Sequence, residues 1–234
     1  MLFKRVSILD SQLNVFDGIG TVRESIKGCI KNNKAGYICV SNVHTVVMGA
    51  QDINFQKITN ESLMSITDGV PLVWGIKLLA KENAGRCAGP DLMEEFLKHS
   101  SLDGLSHYFY GSTDEVLNLM IDKIKKKYPD LNIAGYYSPP FRSLSDEEKK
   151  LINENIKRAN PDIIWVGLGA PKQEVWMKEN WKNLNSIMIG VGAAFDFFAE
   201  TKKRAPMWMQ KSGLEWLFRL ISEPKRLFKR YLLT

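Results

Sequence analysis

Short apolar runs alternate along this chain with longer stretches of helical period. Runs at 36–40, 63–66, 107–110, 132–136, 163–167 and 187–191 read as strands. The later ones are continuously apolar, as strands buried on both faces are. Between them, 21–32, 91–99, 113–127 and 145–159 carry helical patterns. In the third, Val116, Leu117, Met120, Ile121 and Ile124 recur on one side. The fourth opens on Ser145 with Glu148 three residues later, the spacing of a capping box. The alternation predicts an α/β protein: a Rossmann-like parallel sheet with helices on both faces. Residues 1–10 are mixed, strand-like sequence without the apolar run of a signal peptide, so no leader is expected. No run approaches the roughly 18 apolar residues that crossing a bilayer needs.

Charge divides the chain more sharply than hydrophobicity does. Of the formal +6, residues 202–234 hold nine Lys and Arg against Glu215 and Glu223, a net +7, which leaves −1 for residues 1–201. This split predicts a nearly neutral core over 1–201 and a basic, aromatic appendage over 202–234. Two helices are expected in the appendage, at 207–222 and 224–232, with Pro224 suited to a helix start. Leu214, Leu217, Phe218 and Ile221 share one helical face, and Leu227, Phe228, Tyr231 and Leu232 form a second apolar stripe with basic neighbours. That pattern suits an anionic membrane surface. It suits equally well packing on the core or burial in a homo-oligomer. Nucleic acid is not expected as a partner, since no nucleic-acid motif accompanies the charge. Cys29, Cys39 and Cys87 are far apart, without CxxC spacing, which fits a reducing cytoplasm and suggests neither zinc nor a disulfide framework.

An open parallel sheet binds ligands beyond the carboxyl ends of its strands. Here those ends carry Ser41-Asn42, Thr67-Asp68-Gly69, Gly111-Ser112, Gly167 to Glu174, and Gly190-Val191-Gly192-Ala193. The segment containing Gly169, Pro171 and Gln173 is built to aim free backbone N–H groups and a positive helix end at a phosphate, or simply to turn tightly. Asp68 before Pro71 is either a turn aspartate or a general base that takes a hydroxyl proton across from a departing diphosphate. Arg86, just ahead of a helix, is either a surface residue or a fork for a diphosphate oxygen. His44, His99 and His107 have no ligand spacing and read as structural. The chain has no Asp-x-Asp pair, no GxGxxG and no GxxxxGK[ST]. No metal or other cofactor is therefore expected, and leaving-group charge falls to arginines and helix N-termini.

Several segments in register resemble the WecG/TagA/CpsF glycosyltransferase family. They are Val40-Ser41-Asn42, Thr67 to Trp74, Arg86 to Leu92, Gly167 to Trp176, Gly190 to Phe197, Lys203 to Pro206 and Gly213 to Leu220. The resemblance implies an inverting, metal-independent transferase. Such an enzyme moves a sugar, N-acetylmannosamine or a related hexose, from a UDP-sugar to an undecaprenyl-pyrophosphate-linked acceptor at the inner membrane face, in teichoic acid or other surface-polysaccharide synthesis. The alternative is a non-catalytic, membrane-bound nucleotide-binding adaptor. By the same resemblance Asp68 is the catalytic base, Asn42, Arg86 and Gln173 line the substrate pocket, and Arg219 and Arg226 meet phosphates. Gly169 and Gly192 belong to the glycine turns expected at the diphosphate. Two positions depart from the family pattern. Val40 replaces a pocket hydroxyl, with Ser41 expected to point to the opposite face. Lys229 replaces an arginine fork.

Overall fold

The computed structural model describes residues 3–225, 227 and 228. A hairpin of β1 (Arg5–Ile8) and β2 (Ser11–Asn14) leads into α1 (Ile19–Lys31) and β3 (Gly36–Ser41). Then come α2 (Val43–Gln51), α3 (Ile53–Asn60), β4 (Met64–Thr67), α4 (Val70–Leu79) and α5 (Gly89–Asp103). The second half runs β5 (Ser106–Gly111), α6 (Asp114–Lys127), β6 (Asn132–Tyr137), α7 (Asp146–Ala159), β7 (Ile163–Gly167) and α8 (Lys172–Asn180). It ends with β8 (Ile187–Gly190), α9 (Ala194–Ala199), α10 (Met207–Lys211) and α11 (Glu215–Ser222).

Strands β3 to β8 form one parallel sheet in the order β4-β3-β8-β7-β5-β6. Their apolar runs follow from burial on both faces. Along β7, Ile163 and Trp165 pack under α1, α5, α6 and α9, while Ile164 and Val166 pack under α7 and α8. Each fully buried side chain of this size contributes about 1.5–3 kcal/mol by leaving water. The β1–β2 hairpin stands apart from the sheet but is tied to β4, where the Ser65 amide donates to Asn14 Oδ1 at 2.8 Å. Arg5 holds the same corner by donating to the carbonyls of Asn60 and Ser62, each at 2.6 Å.

Local chemistry starts the helices where the sequence marks them. Ser145 caps α7, and Glu148 returns a bond to the Ser145 amide at 2.8 Å. Thr113 caps α6, whose first turn holds Asp114 and Glu115 and whose last turn holds Lys125 to Lys127, both favourable to the helix dipole.

The C-terminal segment corrects one expectation. Residues 207–222 are two helices rather than one. Gly213 between them adopts φ +77°, where a side chain is strained, and lies against Val70 and Trp74 of α4. Pro224 does open a helical turn, but the rest of the expected helix at 224–232 reaches outside the described residues. Among the described residues no helix is long and apolar enough to cross a membrane.

His107 is structural, as its sequence context suggests. Trp165 Nε1 donates to its Nδ1 at 3.0 Å, so the ring proton sits on Nε2, which faces Ser100 Oγ at 2.5 Å. Burial lowers its pKa to about 4 and keeps the ring neutral.

Candidate active site

A cavity of about 500 Å³ opens at the carboxyl edge of β4, β3, β8 and β7. Its floor is the loops that leave those strands. Its far wall is the C-terminal segment, which contributes Gln210, Gly213, Glu215, Trp216, Arg219 and Leu227. The N-termini of α2, α4 and α5 converge here, carried by Asn42, Gly69 and Ala88. Their partial positive charges make the cavity hospitable to an anion.

Of the residues singled out from sequence, Asn42, Asp68, Arg86, Gly169, Gln173, Gly192 and Arg219 all line this cavity. Arg226 lies outside the described residues. Asn42 caps α2, its Oδ1 accepting from the Thr45 amide at 3.2 Å while Thr45 Oγ1 accepts from the Asn42 amide at 2.9 Å. Val40 lines the cavity; Ser41 does not, because its hydroxyl is buried against Ser65 Oγ at 2.8 Å. The hydroxyl missing at Val40 is therefore not supplied by its neighbour.

Asp68 follows β4, and its amide donates to the Ser41 carbonyl at 2.8 Å, which fixes the loop at the sheet edge. Its side chain keeps 25% exposure, enough to meet a ligand. Loss of hydration raises its pKa to about 6; Glu215 and Asp91 push the same way, and Arg86 and Arg219 oppose them. A carboxylate in that range is ionised at neutral pH yet basic enough to accept a proton.

Arg86 is more occupied than a free phosphate fork would be. Its Nε donates to the Asp68 carbonyl at 2.8 Å, and one terminal nitrogen lies 2.5 Å from Glu215 Oε2 and 3.7 Å from Asp68 Oδ1. The other terminal nitrogen lies 3.5 Å from Gln210 Oε1 and 3.7 Å from Asp91 Oδ2. Asp91 is itself gripped by both terminal nitrogens of Arg204, one at 2.8 Å.

The glycine turns also differ from expectation. Gly169 and Gly192 do adopt positive φ, +76° and +54°. Their amides do not stand free for a phosphate, however: both donate to Gln173 Oε1, each at 3.1 Å. Gln173 is 4% exposed and passes its own Nε2–H to Glu174 Oε1 at 2.9 Å. It braces the two turns from beneath. A side chain at Gly190 would collide with it, since a Cβ there would come within 2.9 Å of Gln173 Nε2.

Two residues here were missed from sequence. His44, read there as structural, lines the cavity two residues after Asn42. Glu215 lies in a segment that carries the family resemblance, but its partner is 129 positions away, so no local pattern reveals the pairing.

A parallel sheet with a cleft at its carboxyl edge, lined by two arginines and two carboxylates of which Asp68 has raised proton affinity, is the arrangement of a Rossmann-like enzyme. The family model of the glycosyl transferase WecG/TagA/CpsF family matches residues 6–234, and the chain belongs to that family. It is 32% identical over 197 residues to the N-acetylglucosaminyldiphosphoundecaprenol N-acetyl-beta-D-mannosaminyltransferase of Bacillus subtilis (strain 168), covering 83% of this chain and 74% of that one. The identically named protein of Staphylococcus aureus (strain MW2) is 30% identical over 207 residues, 87% of this chain and 80% of its own length. That of Bacillus spizizenii is 27% identical over 199 residues, 84% and 75% respectively.

Proposed function

We propose that this glycosyltransferase is inverting and metal-independent. It moves N-acetylmannosamine or a related hexose from a UDP-sugar to an N-acetylglucosaminyl-diphosphoundecaprenol acceptor, in teichoic acid or related surface-polysaccharide synthesis. The donor sugar and acceptor come from the names of the relatives. The observation that carries the chemistry is Asp68, a carboxylate with pKa about 6 exposed to a cavity that Arg219 also lines.

Asp68 takes the proton of the acceptor hydroxyl as that oxygen attacks the anomeric carbon. The new glycosidic bond forms on the face opposite the breaking bond to UDP, which inverts the configuration. UDP leaves with the electron pair of that bond. Its charge is met by Arg219 and the converging helix N-termini, in a sequence without an Asp-x-Asp clamp.

The C-terminal segment works at the inner membrane face, where a lipid-linked acceptor resides. Trp208, Ile221 and Phe228 are 64%, 70% and 62% exposed, and α11 buries none of its residues. Trp74 and Leu78 of α4 extend the exposed apolar surface beside Gly213. Lys211 and Lys225 supply positive charge for anionic lipid.

Incubation with a panel of UDP-sugars and the lipid-linked acceptor tests the reading. Release of UDP that depends on the acceptor is expected, greatest with UDP-N-acetylmannosamine. Tight nucleotide binding without release would overturn it in favour of a binding protein.

A further inference from the structure

Glu215 and Arg219 sit four residues apart on α11, so they share one helix face, and both line the cavity. Glu215 reaches across to Arg86 at 2.5 Å. That contact ends an alternating row of charges, Arg204, Asp91, Arg86 and Glu215, whose outer members belong to the C-terminal segment and whose inner members belong to the core. Gln210 joins the row by accepting from Arg86. The two C-terminal helices are short, five and eight residues, and α11 has no fully buried side chain, only partly buried ones such as Leu217 and Phe218. Polar contacts to the core add to that shallow packing in fixing its position.

A carboxylate on the wall of a phosphate-binding cleft weakens the attraction for an anionic donor. Glu215 occupies such a place, and the residue it brings with it is a cation. We propose that Glu215 is a positioning residue for sugar transfer: its bond to Arg86 docks α11 on the core and so holds Arg219 at the cavity. The inference rests on the transferase reading given above. Glu215 has a second effect through space. Asp68 is faced by Arg86 from the loop before α5, by Asp91 from the first turn of α5, by Arg204 from the loop after α9, and by Glu215 and Arg219 from α11; His44 lines the same cavity. In that company Glu215 raises the proton affinity of Asp68.

The test compares Glu215→Ala, Glu215→Gln and Arg219→Ala in the full chain, singly and combined. Glu215→Ala is expected to lower kcat/KM for the donor on the order of 10- to 100-fold, as misplacement of a substrate-contacting group does. The double variant Glu215→Ala/Arg219→Ala is expected to be no worse than the poorer single one, because both act through the placement of Arg219. Glu215→Gln keeps the hydrogen-bonding shape and guards against a folding defect; its acidic limb in the pH–rate profile is expected below that of the unaltered enzyme. Fully additive losses, an acidic limb unmoved or raised, or tighter donor binding with kcat intact would overturn the proposal. Amide exchange across 215–222 reports docking without turnover. Faster exchange in Glu215→Ala supports the docking, and unchanged exchange overturns it. If the unaltered enzyme releases no UDP with any donor, the transferase reading fails, while the exchange result still decides whether Glu215 docks α11.

Discussion

Arg86 donates to the backbone carbonyl of Asp68 at 2.8 Å and meets the carboxylate of Glu215 at 2.5 Å with the same guanidinium. One planar group thus links the loop bearing the Asp68 carboxylate to a helix that lines the cavity. Lysine has the charge but not the fork, and cannot hold both positions in one plane.

Arg86→Ala removes the nearest positive charge from Asp68. Because Arg86 lowers the Asp68 pKa, its loss is expected to move the acidic limb of the pH–rate profile upward and to cut turnover at neutral pH by tenfold or more. Arg86→Lys is expected to keep the limb nearer its original position yet still lose turnover. Initial rates between pH 5 and 9 check both.

Asp68 also links pH to stability. Its folded pKa, about 6, lies above its ordinary value of 3.8, so the folded state holds the proton more tightly. The stabilisation this gives is full below pH 4, is lost as pH rises through about 6, and is absent above it. Asp68→Asn is accordingly expected to raise stability at pH 8 on the order of 1–3 kcal/mol and to change it little at pH 4. Urea unfolding at the two pH values measures the difference.

Gln173→Ala withdraws the acceptor shared by the Gly169 and Gly192 amides. Leaving such groups unpaired costs about 1–3 kcal/mol. The turns around the cavity are expected to loosen with it, seen as a lower melting temperature and weaker UDP binding. If UDP affinity fell with no change in melting temperature, Gln173 would be a direct ligand rather than a brace.

Trp208→Glu and Ile221→Glu place charge on the exposed C-terminal surface without touching a buried group. Cosedimentation with anionic vesicles is expected to fall severalfold in both, with the melting temperature unchanged. Truncation before Lys202 removes cavity wall as well as surface, since Gln210 and Leu227 are 5% and 1% exposed. It should abolish activity even on a short, water-soluble acceptor.

The sheet was readable from sequence because strands buried on both faces leave uninterrupted apolar runs, as in β7 and β8. Helix α7 was readable because its capping box and its Ile152–Ile156 face are local. Helix α4 was not: apolar residues surround it, from Leu72 and Ile76 inside to Trp74 and Leu78 outside, so no period emerges. The β1–β2 turn was hidden for another reason. Leu9 and Asp10 take positive φ where glycine or asparagine would have signalled a hairpin. At the site, the residues that follow strands came through, since strand ends mark the binding edge. The Arg204–Asp91–Arg86–Glu215 row did not, because ion pairs between distant segments leave no spacing to read.

The most direct measurement is acceptor-dependent UDP release by Asp68→Asn beside the unaltered enzyme, with UDP affinity measured on the same samples. A loss of turnover on the order of 100-fold or more with UDP affinity retained is the expected result. Near-normal release from the variant would contradict the role of Asp68 as the base.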